Sequence, residues 1–159
     1  MINTVEGVYP LLEHNGFTYS SSLYAPAGTI LRKGNIWELP VSTLPLLGKP
    51  SSFLAPRRMN LPLVLGGELP YGSSMMSGLF PKTVFKIIEK EFKAGLSPVI
   101  FLHPYEIVSP TGWPMRFARD MAANPLLYPF TINKLSFLND LLKSFPISTI
   151  ENYMDEIAQ

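Results

Sequence analysis

Sixteen prolines constrain the fold of this 159-residue chain more than any other feature of its sequence. They recur through residues 10–70 and 98–129. Because proline fixes φ and removes a backbone donor, long helices and central strands cannot run through those stretches. The sequence therefore predicts long ordered loops around a few regular elements. It shows no repeat of fixed period and no low-complexity tract, which indicates a single domain over residues 1–159.

The strongest local pattern is a helix followed by a short apolar run. Residues 83–94 have apolar side chains at helical spacing, with Pro81 near the start and Gly95 as a left-handed C-cap. Residues 98–102 are proline or apolar throughout, which is typical of a short strand buried on both faces. His103 then falls at the carboxyl end of the strand, where α/β folds place their chemistry. This position makes His103 the first candidate for a functional residue.

Weaker patterns predict the other elements. In the first half we expect a weak helix over 2–14, strands over 17–24 and 36–42, and a long connecting loop with short strand fragments over 43–77. In the second half we expect a proline-broken loop over 108–129, an amphipathic helix over about 133–144, a short strand over 146–150, and a final helix capped by Ser148. The alternation of helices and strands predicts an α/β or α+β class with heavy loops.

Composition excludes several classes of function. A 47% hydrophobic and 16% charged chain is an ordinary globular sequence. The net charge of +1 and the scattered basic residues do not predict a nucleic-acid partner. There is no cysteine, so disulfides, thiolate metal sites and cysteine nucleophiles are excluded. No apolar run reaches the roughly 18 to 20 residues of a membrane helix, and no signal-peptide pattern is present; we expect a cytoplasmic protein without a membrane span.

Few residues are available for catalysis or metal binding. The histidines are His14 and His103, and the aspartates lie at positions 120, 140 and 155. Neither H-x-x-x-H nor H-E-x-x-H occurs, and a zinc site usually needs three protein ligands, so we expect no complete metal site within this chain. A serine nucleophile in a G-x-S-x-G turn is absent as well. A lone histidine is more often bonded to a backbone carbonyl than catalytic, although a position at a strand end favours catalysis.

Aromatic residues in the loops leave two interpretations open. The rings of Trp37, Tyr71, Tyr105 and Trp113 could stack on sugars, or they could simply pack the loops that contain them.

Four short motifs occur in a fixed order and together resemble a known family. They are G-F-T-Y-S-S-S-L at residues 16–23, W-E-L-P-V-S at 37–42, G-G at 66–67 and F-L-H-P-Y-E at 101–106. The series is similar to the C-terminal half of NodB-homology polysaccharide deacetylases (carbohydrate esterase family 4), in the branch associated with exopolysaccharides. The resemblance implies an incomplete, distorted (β/α) barrel with long proline-rich loops.

The same resemblance implies roles for individual residues. His103 takes the place of a late histidine that protonates the leaving amine, and Phe101 would line the pocket for the acetyl methyl group, where many relatives have leucine. Leu102, Tyr105 and Trp37 would join Phe101 in binding an N-acetylated polysaccharide or oligosaccharide. The complete family enzyme is expected to hold a divalent metal, zinc or similar.

The sequence departs from the family pattern in two ways. Ser20 stands where the family usually has aspartate, and Tyr105 where it usually has tryptophan. The family's T-F-D-D, H-x-x-x-H and R-x-P segments have no counterpart, since the chain begins about one helix before the first matching motif. One hypothesis is therefore a deacetylase fragment completed by an N-terminal half, supplied by another chain or replaced by self-association. The alternative is a non-catalytic remnant that binds glycan or a protein partner.

Overall fold

Short helices and two small sheets make up the fold, which we describe from a computed structural model covering residues 8–46, 67–108, 118 and 120–157. The helices are α1 (Val8–His14), α2 (Ser74–Leu79), α3 (Pro81–Lys93), α4 (Pro104–Ile107), a 3₁₀-helix (Pro125–Thr131), α5 (Leu135–Ser144) and α6 (Ile150–Ile157). The strands are β1 (Tyr19–Ser20), β2 (Tyr24–Pro26), β3 (Leu31–Lys33), β4 (Ile36–Glu38), β5 (Val41–Pro45) and β6 (Glu68–Leu69).

Parallel pairing joins the two strands predicted over 17–24 and 36–42. β1 pairs in parallel with β4, and β2 pairs in parallel with β5. Leu39 and Pro40, which belong to neither strand, separate β4 from β5. The backbone bond from Val41 N to Leu23 O, 2.8 Å long, keeps this stretch paired with the residues between β1 and β2. β3 and β6 complete the two sheets as antiparallel strands. Short parallel pairs are compatible with the predicted α/β class, and the incomplete barrel stays a prediction.

The helix predicted over 83–94 is confirmed as α3. Its Pro81 occupies the first turn, and Gly95 beyond its end has a φ of +78°. A left-handed glycine at this place ends the helix at no steric cost. Val84 and Ile88 are buried on the inner face of α3. They join the main core, whose buried members are Tyr71, Met76, Val84, Ile88, Phe137 and Leu141.

The strand predicted over 98–102 is wrong in two respects. Residues 96–103 form no regular secondary structure, and residues 98–103 are half-buried rather than buried. The segment nevertheless lies against β5, because Ser42 N donates to Val99 O at 3.0 Å and Phe101 N donates to Gly72 O at 3.1 Å. The apolar pattern predicted a buried strand here because it could not tell how many neighbours this segment has.

Two further expectations fail at short helices and strands. The stretch predicted over 43–77 as a loop with short strand fragments does contain the short strand β6, but it also contains the start of α2, which was not expected and begins where Ser73 Oγ accepts a bond from Met76 N. The predicted strand over 146–150 is absent, and α6 starts with Thr149 Oγ1 accepting from Asn152 N at 3.2 Å, rather than with Ser148. Hydroxyl residues in series each fit a helix cap, so the sequence alone did not select the right one.

Gly72 lies at a junction of three backbone segments. Its N–H donates to Ser42 O at 2.9 Å, and its carbonyl accepts from Phe101 N. A Cβ at this position would overlap Val99 O and would lie 2.8 Å from Ser42 N. Both neighbours are backbone atoms, which move only if the segment beside β5 moves.

We predict that Gly72→Ala lowers the free energy of unfolding by about 3 kcal/mol, because the added methyl group separates β5 from the segment that leads to His103. Gly16→Ala is the control: Gly16 has a φ of +79° and nothing within 4 Å of its ideal Cβ, so only backbone strain of about 1 kcal/mol is expected. Urea denaturation measures both. Equal losses in the two variants would contradict the close approach at Gly72.

A buried ion pair joins α4 to the start of α5. Lys134 Nζ lies 2.8 Å from Glu106 Oε1, and the two side chains are 1% and 0% exposed. Lys134 Nζ also donates to Pro129 O at 2.8 Å and to Ile132 O at 3.4 Å. The ammonium thus has an acceptor for each of its three protons, as a buried charge requires.

Lys134→Met should lower the free energy of unfolding by about 3–5 kcal/mol, because it leaves the Glu106 carboxylate buried without its counter-charge. The double variant Lys134→Met, Glu106→Gln should recover part of this loss. As a control, Lys93→Met removes the exposed pair with Glu89 and should change stability by less than about 0.5 kcal/mol. A loss at Lys134 no larger than that at Lys93 would refute the structural importance of the buried pair.

Candidate functional site

His103 is fixed by its backbone at the start of α4. The residue is extended, with φ −86° and ψ 142°, and Pro104 follows as the first helical residue. The N–H of His103 donates to Glu106 Oε2 at 2.7 Å, and Glu106 N donates back to His103 O at 2.9 Å. This reciprocal pair at a helix start sets the direction in which the imidazole leaves the chain.

Three aromatic rings surround the imidazole of His103. Tyr105 stacks on it with 4.9 Å between centroids and 8° between planes. Phe101 presents an edge at 5.4 Å and 83°, and Phe130 lies at 6.1 Å and 56°. We call these four residues the His103 cluster. The imidazole is half-buried, so apolar rings restrict its orientation while part of it remains in contact with solvent.

The charges beneath the cluster are internally compensated. Glu106 is 1% exposed and accepts bonds from Ser74 Oγ, Lys134 Nζ and the backbone of His103. Its negative charge is still felt nearby: burial first, and the Glu106 carboxylate second, raise the pKa of Tyr105 above its usual value. Tyr105 therefore stays a neutral phenol at physiological pH, and the stacked ring contributes no charge to the imidazole.

The arrangement provides one group capable of proton transfer. A neutral imidazole has one donor and one acceptor nitrogen, and its ordinary pKa lies close to neutrality. Held between rings and open on one side, His103 could give a proton to a basic atom of a bound ligand. Phe101 next to it would present an apolar edge to the same ligand.

The residues predicted to bind substrate do not all lie in this cluster. Phe101 and Tyr105 touch His103, and Leu102 lies half-buried between Phe101 and His103 in the extended segment. Trp37 lies in β4, which belongs to the other sheet, and its ring carries the guanidinium of Arg32 at 5.1 Å from the centroid. Trp113 falls outside the described residues.

Two members of this site, Phe130 and Glu106, were not predicted as functional residues. Phe130 comes from the 3₁₀-helix, inside a stretch predicted to be a proline-broken loop. Glu106 belongs to a quoted motif, but its ion pair with a lysine 28 positions later follows no local spacing rule. Glutamate three residues after the residue that precedes a helix is the signal of a capping box, and it could have identified the bond between Glu106 and the backbone of His103.

The cluster does not fit a metal ion. Within the described ranges, no three His, Asp or Glu side chains come together in a group able to hold one. The rings around His103 belong to Phe101, Tyr105 and Phe130. His103 is therefore the one residue of the cluster of a type that commonly binds zinc. The divalent metal of the complete family enzyme stays a prediction, and no chemical step of this chain is derived from it.

Comparisons of the chain with protein-family models, with curated proteins and with solved structures find no match. In the part of the chain that the structure covers, no helix combines the length and the apolar character needed to cross a bilayer.

We predict a coupling energy of about 0.5–1.5 kcal/mol between His103 and Tyr105, because parallel rings 4.9 Å apart attract each other beyond their simple burial. A double-mutant cycle with His103→Ala and Tyr105→Leu, measured by urea denaturation, isolates this term. The control is a second cycle that combines His103→Ala with Tyr128→Leu, since Tyr128 is 56% exposed. A coupling of zero for the first cycle would contradict the stacked arrangement.

Proposed function

We propose that this chain is the C-terminal part of a polysaccharide deacetylase, which hydrolyses N-acetyl groups of an amino-sugar polysaccharide once the missing half completes it. One observation supports this most directly. Phe101, His103 and Tyr105, all taken from one motif of the resemblance, form a single ring cluster around a half-exposed imidazole. Phe101 and His103 are two residues apart, and such residues share a face when the backbone is extended. Tyr105 lies in α4, so its stacking on His103 also requires the helical turn that begins at Pro104.

The proposed role of His103 is proton donation. Hydrolysis of an N-acetyl group forms a bond between a water oxygen and the acetyl carbon and breaks the bond from that carbon to nitrogen. The nitrogen leaves as an amine only if it receives a proton, and an imidazolium can supply one. The edge of Phe101 is proposed to contact the acetyl methyl group while the proton moves.

The bond between Glu106 and the His103 backbone supports this role. A general acid must keep its ring within hydrogen-bond reach of the leaving atom. Glu106 fixes the backbone of His103, and the Lys134 ammonium fixes Glu106. A buried, hydrogen-bonded support of this kind reduces the rotations that the imidazole can make.

A second candidate function is binding without catalysis. β1 is an edge strand of its sheet. Phe17, just before this strand, and Tyr19, its first residue, are 56% and 39% exposed. An exposed edge with large apolar side chains favours contact with another chain or with a glycan. The coding sequence directly upstream distinguishes the two candidates: a frame with T-F-D-D and H-x-x-x-H segments favours the deacetylase, and its absence favours a binding remnant.

The deacetylase proposal predicts a large catalytic effect of His103→Ala. When the upstream half is supplied in cis or in trans, this variant should lower kcat by about two to four orders of magnitude, because the leaving amine loses its acid. The KM should change little. The assay follows acetate released from a chitin oligosaccharide.

His14→Ala is the matched control. His14 is exposed at the end of α1, so its loss should leave kcat unchanged. Full kcat in His103→Ala, or an equal loss in His14→Ala, would show that the acid is assigned wrongly. Circular dichroism of both variants excludes unfolding as the cause.

A further inference from the structure

A cleft of about 360 Å³ opens at the beginning of β1. Its walls are residues 16–21 together with Ile150 at the start of α6. None of the lining residues is charged, and the rings of Phe17 and Tyr19 are partly exposed there. The volume lies at the lower end of the range for small-molecule pockets, and none of the four residues of the His103 cluster lines it.

A chain of hydroxyl groups leads from this cleft to a buried carboxylate. Ser20, which lines the cleft, has its Oγ 3.3 Å from Ser22 Oγ. Ser22 Oγ lies 3.2 Å from Glu38 Oε2, and Glu38 is 0% exposed. We call Ser20, Ser22 and Glu38 the hydroxyl chain.

Glu38 is held as an acceptor on all sides. Its Oε1 accepts from the backbone N–H groups of Ser22 and Leu23 at 2.6 and 2.9 Å. Its Oε2 accepts from Ser22 Oγ and from the phenol of Tyr9, each at 3.2 Å. Each of the two carboxylate oxygens of Glu38 therefore accepts two hydrogen bonds.

The acceptor role of the Glu38 carboxylate fixes the direction of the bonds in the hydroxyl chain. A serine has one proton, and Ser22 must use its proton on the carboxylate. The bond between the two serines then needs the proton of Ser20, so Ser20 donates inward to Ser22. With its proton used inward, the Oγ of Ser20 can act only as an acceptor toward a ligand in the cleft that this residue lines.

From this geometry we propose that the cleft binds one ring of a neutral carbohydrate, with a ligand hydroxyl or amide N–H donating to Ser20 Oγ and with Phe17 and Tyr19 against the apolar face of the ring. An uncharged lining favours a neutral ligand, and partly exposed aromatic rings are suited to the C–H faces of sugars. This inference deepens the proposed function, on which its choice of a glycan depends, by adding a contact away from the acid at His103.

The experiment titrates the full chain with chitotriose, and with cellotriose as the unacetylated comparison, while amide shifts are followed by NMR. We expect shift changes concentrated at residues 16–21 and at Ile150. Ser20→Ala should weaken binding about 3- to 10-fold, the usual effect of losing one hydrogen bond. Ser136→Ala, in the exposed start of α5, is the control and should bind as the parent does.

A methylated ligand tests the direction of the bonds. Permethylated chitotriose has no hydroxyl donors and its tertiary amides have no N–H, so it should bind the parent chain poorly. In Ser22→Ala, Ser20 no longer has its inward acceptor and can turn its proton to the cleft, so the preference for the unmethylated sugar should fall. An unchanged preference in Ser22→Ala would overturn the assigned direction.

Other outcomes overturn the site itself. These are no binding by the parent chain, shift changes only outside the cleft, or changes that follow protein concentration instead of sugar, which would identify a second copy as the occupant. Failure of the deacetylase proposal is separable, because binding at the cleft with no loss of kcat in His103→Ala would leave the sugar site intact. If Ser20→Ala is unfolded by circular dichroism, Ser20→Thr, which keeps the hydroxyl, and the shift map of the parent chain decide the question.

Discussion

The buried carboxylate of Glu106 is the interaction on which the arrangement around His103 depends. It joins α2 through Ser74, the start of α5 through Lys134, and the residue directly before α4 through the N–H of His103. A carboxylate can occupy such an interior position only if its charge is balanced and its oxygens are bonded. The segment that leads to His103 has little regular structure, so these bonds replace the support that neighbouring strands would give.

The fold could be predicted where the pattern is local. Apolar spacing, Pro81 and Gly95 together determined α3, and the apolar stripe of residues 133–144 determined α5. The parallel pairing of β1 and β2 with β4 and β5 was not predictable, because a parallel partner follows no fixed sequence distance. The apolar run at 98–102 indicated an extended segment, yet burial on both faces depends on neighbours that the run itself does not specify.

The candidate site was predicted in part. A motif placed Phe101, His103 and Tyr105 close together in sequence, and the structure brings their rings into contact. Phe130 lies in the 3₁₀-helix and Lys134 directly before α5, so the tertiary fold brings them to the site. No spacing rule in the sequence connects them with His103. Trp37 shows the opposite case, since a residue from a matching motif lies in a separate sheet against Arg32.

The bond from the His103 N–H to Glu106 also has a consequence for local motion. Small helices at a surface usually open on their own, long before the whole domain unfolds. α4 has only four residues, but the amide of His103, directly before it, is bonded to Glu106 Oε2, and the other oxygen of that carboxylate is paired with the buried Lys134. The acceptor of this amide is therefore held in the interior and does not move out with the chain. Hydrogen exchange of the His103 amide should be slower than that of the half-buried residues 98–102, which would make the start of the shortest α-helix near the site more rigid than the segment that leads to it.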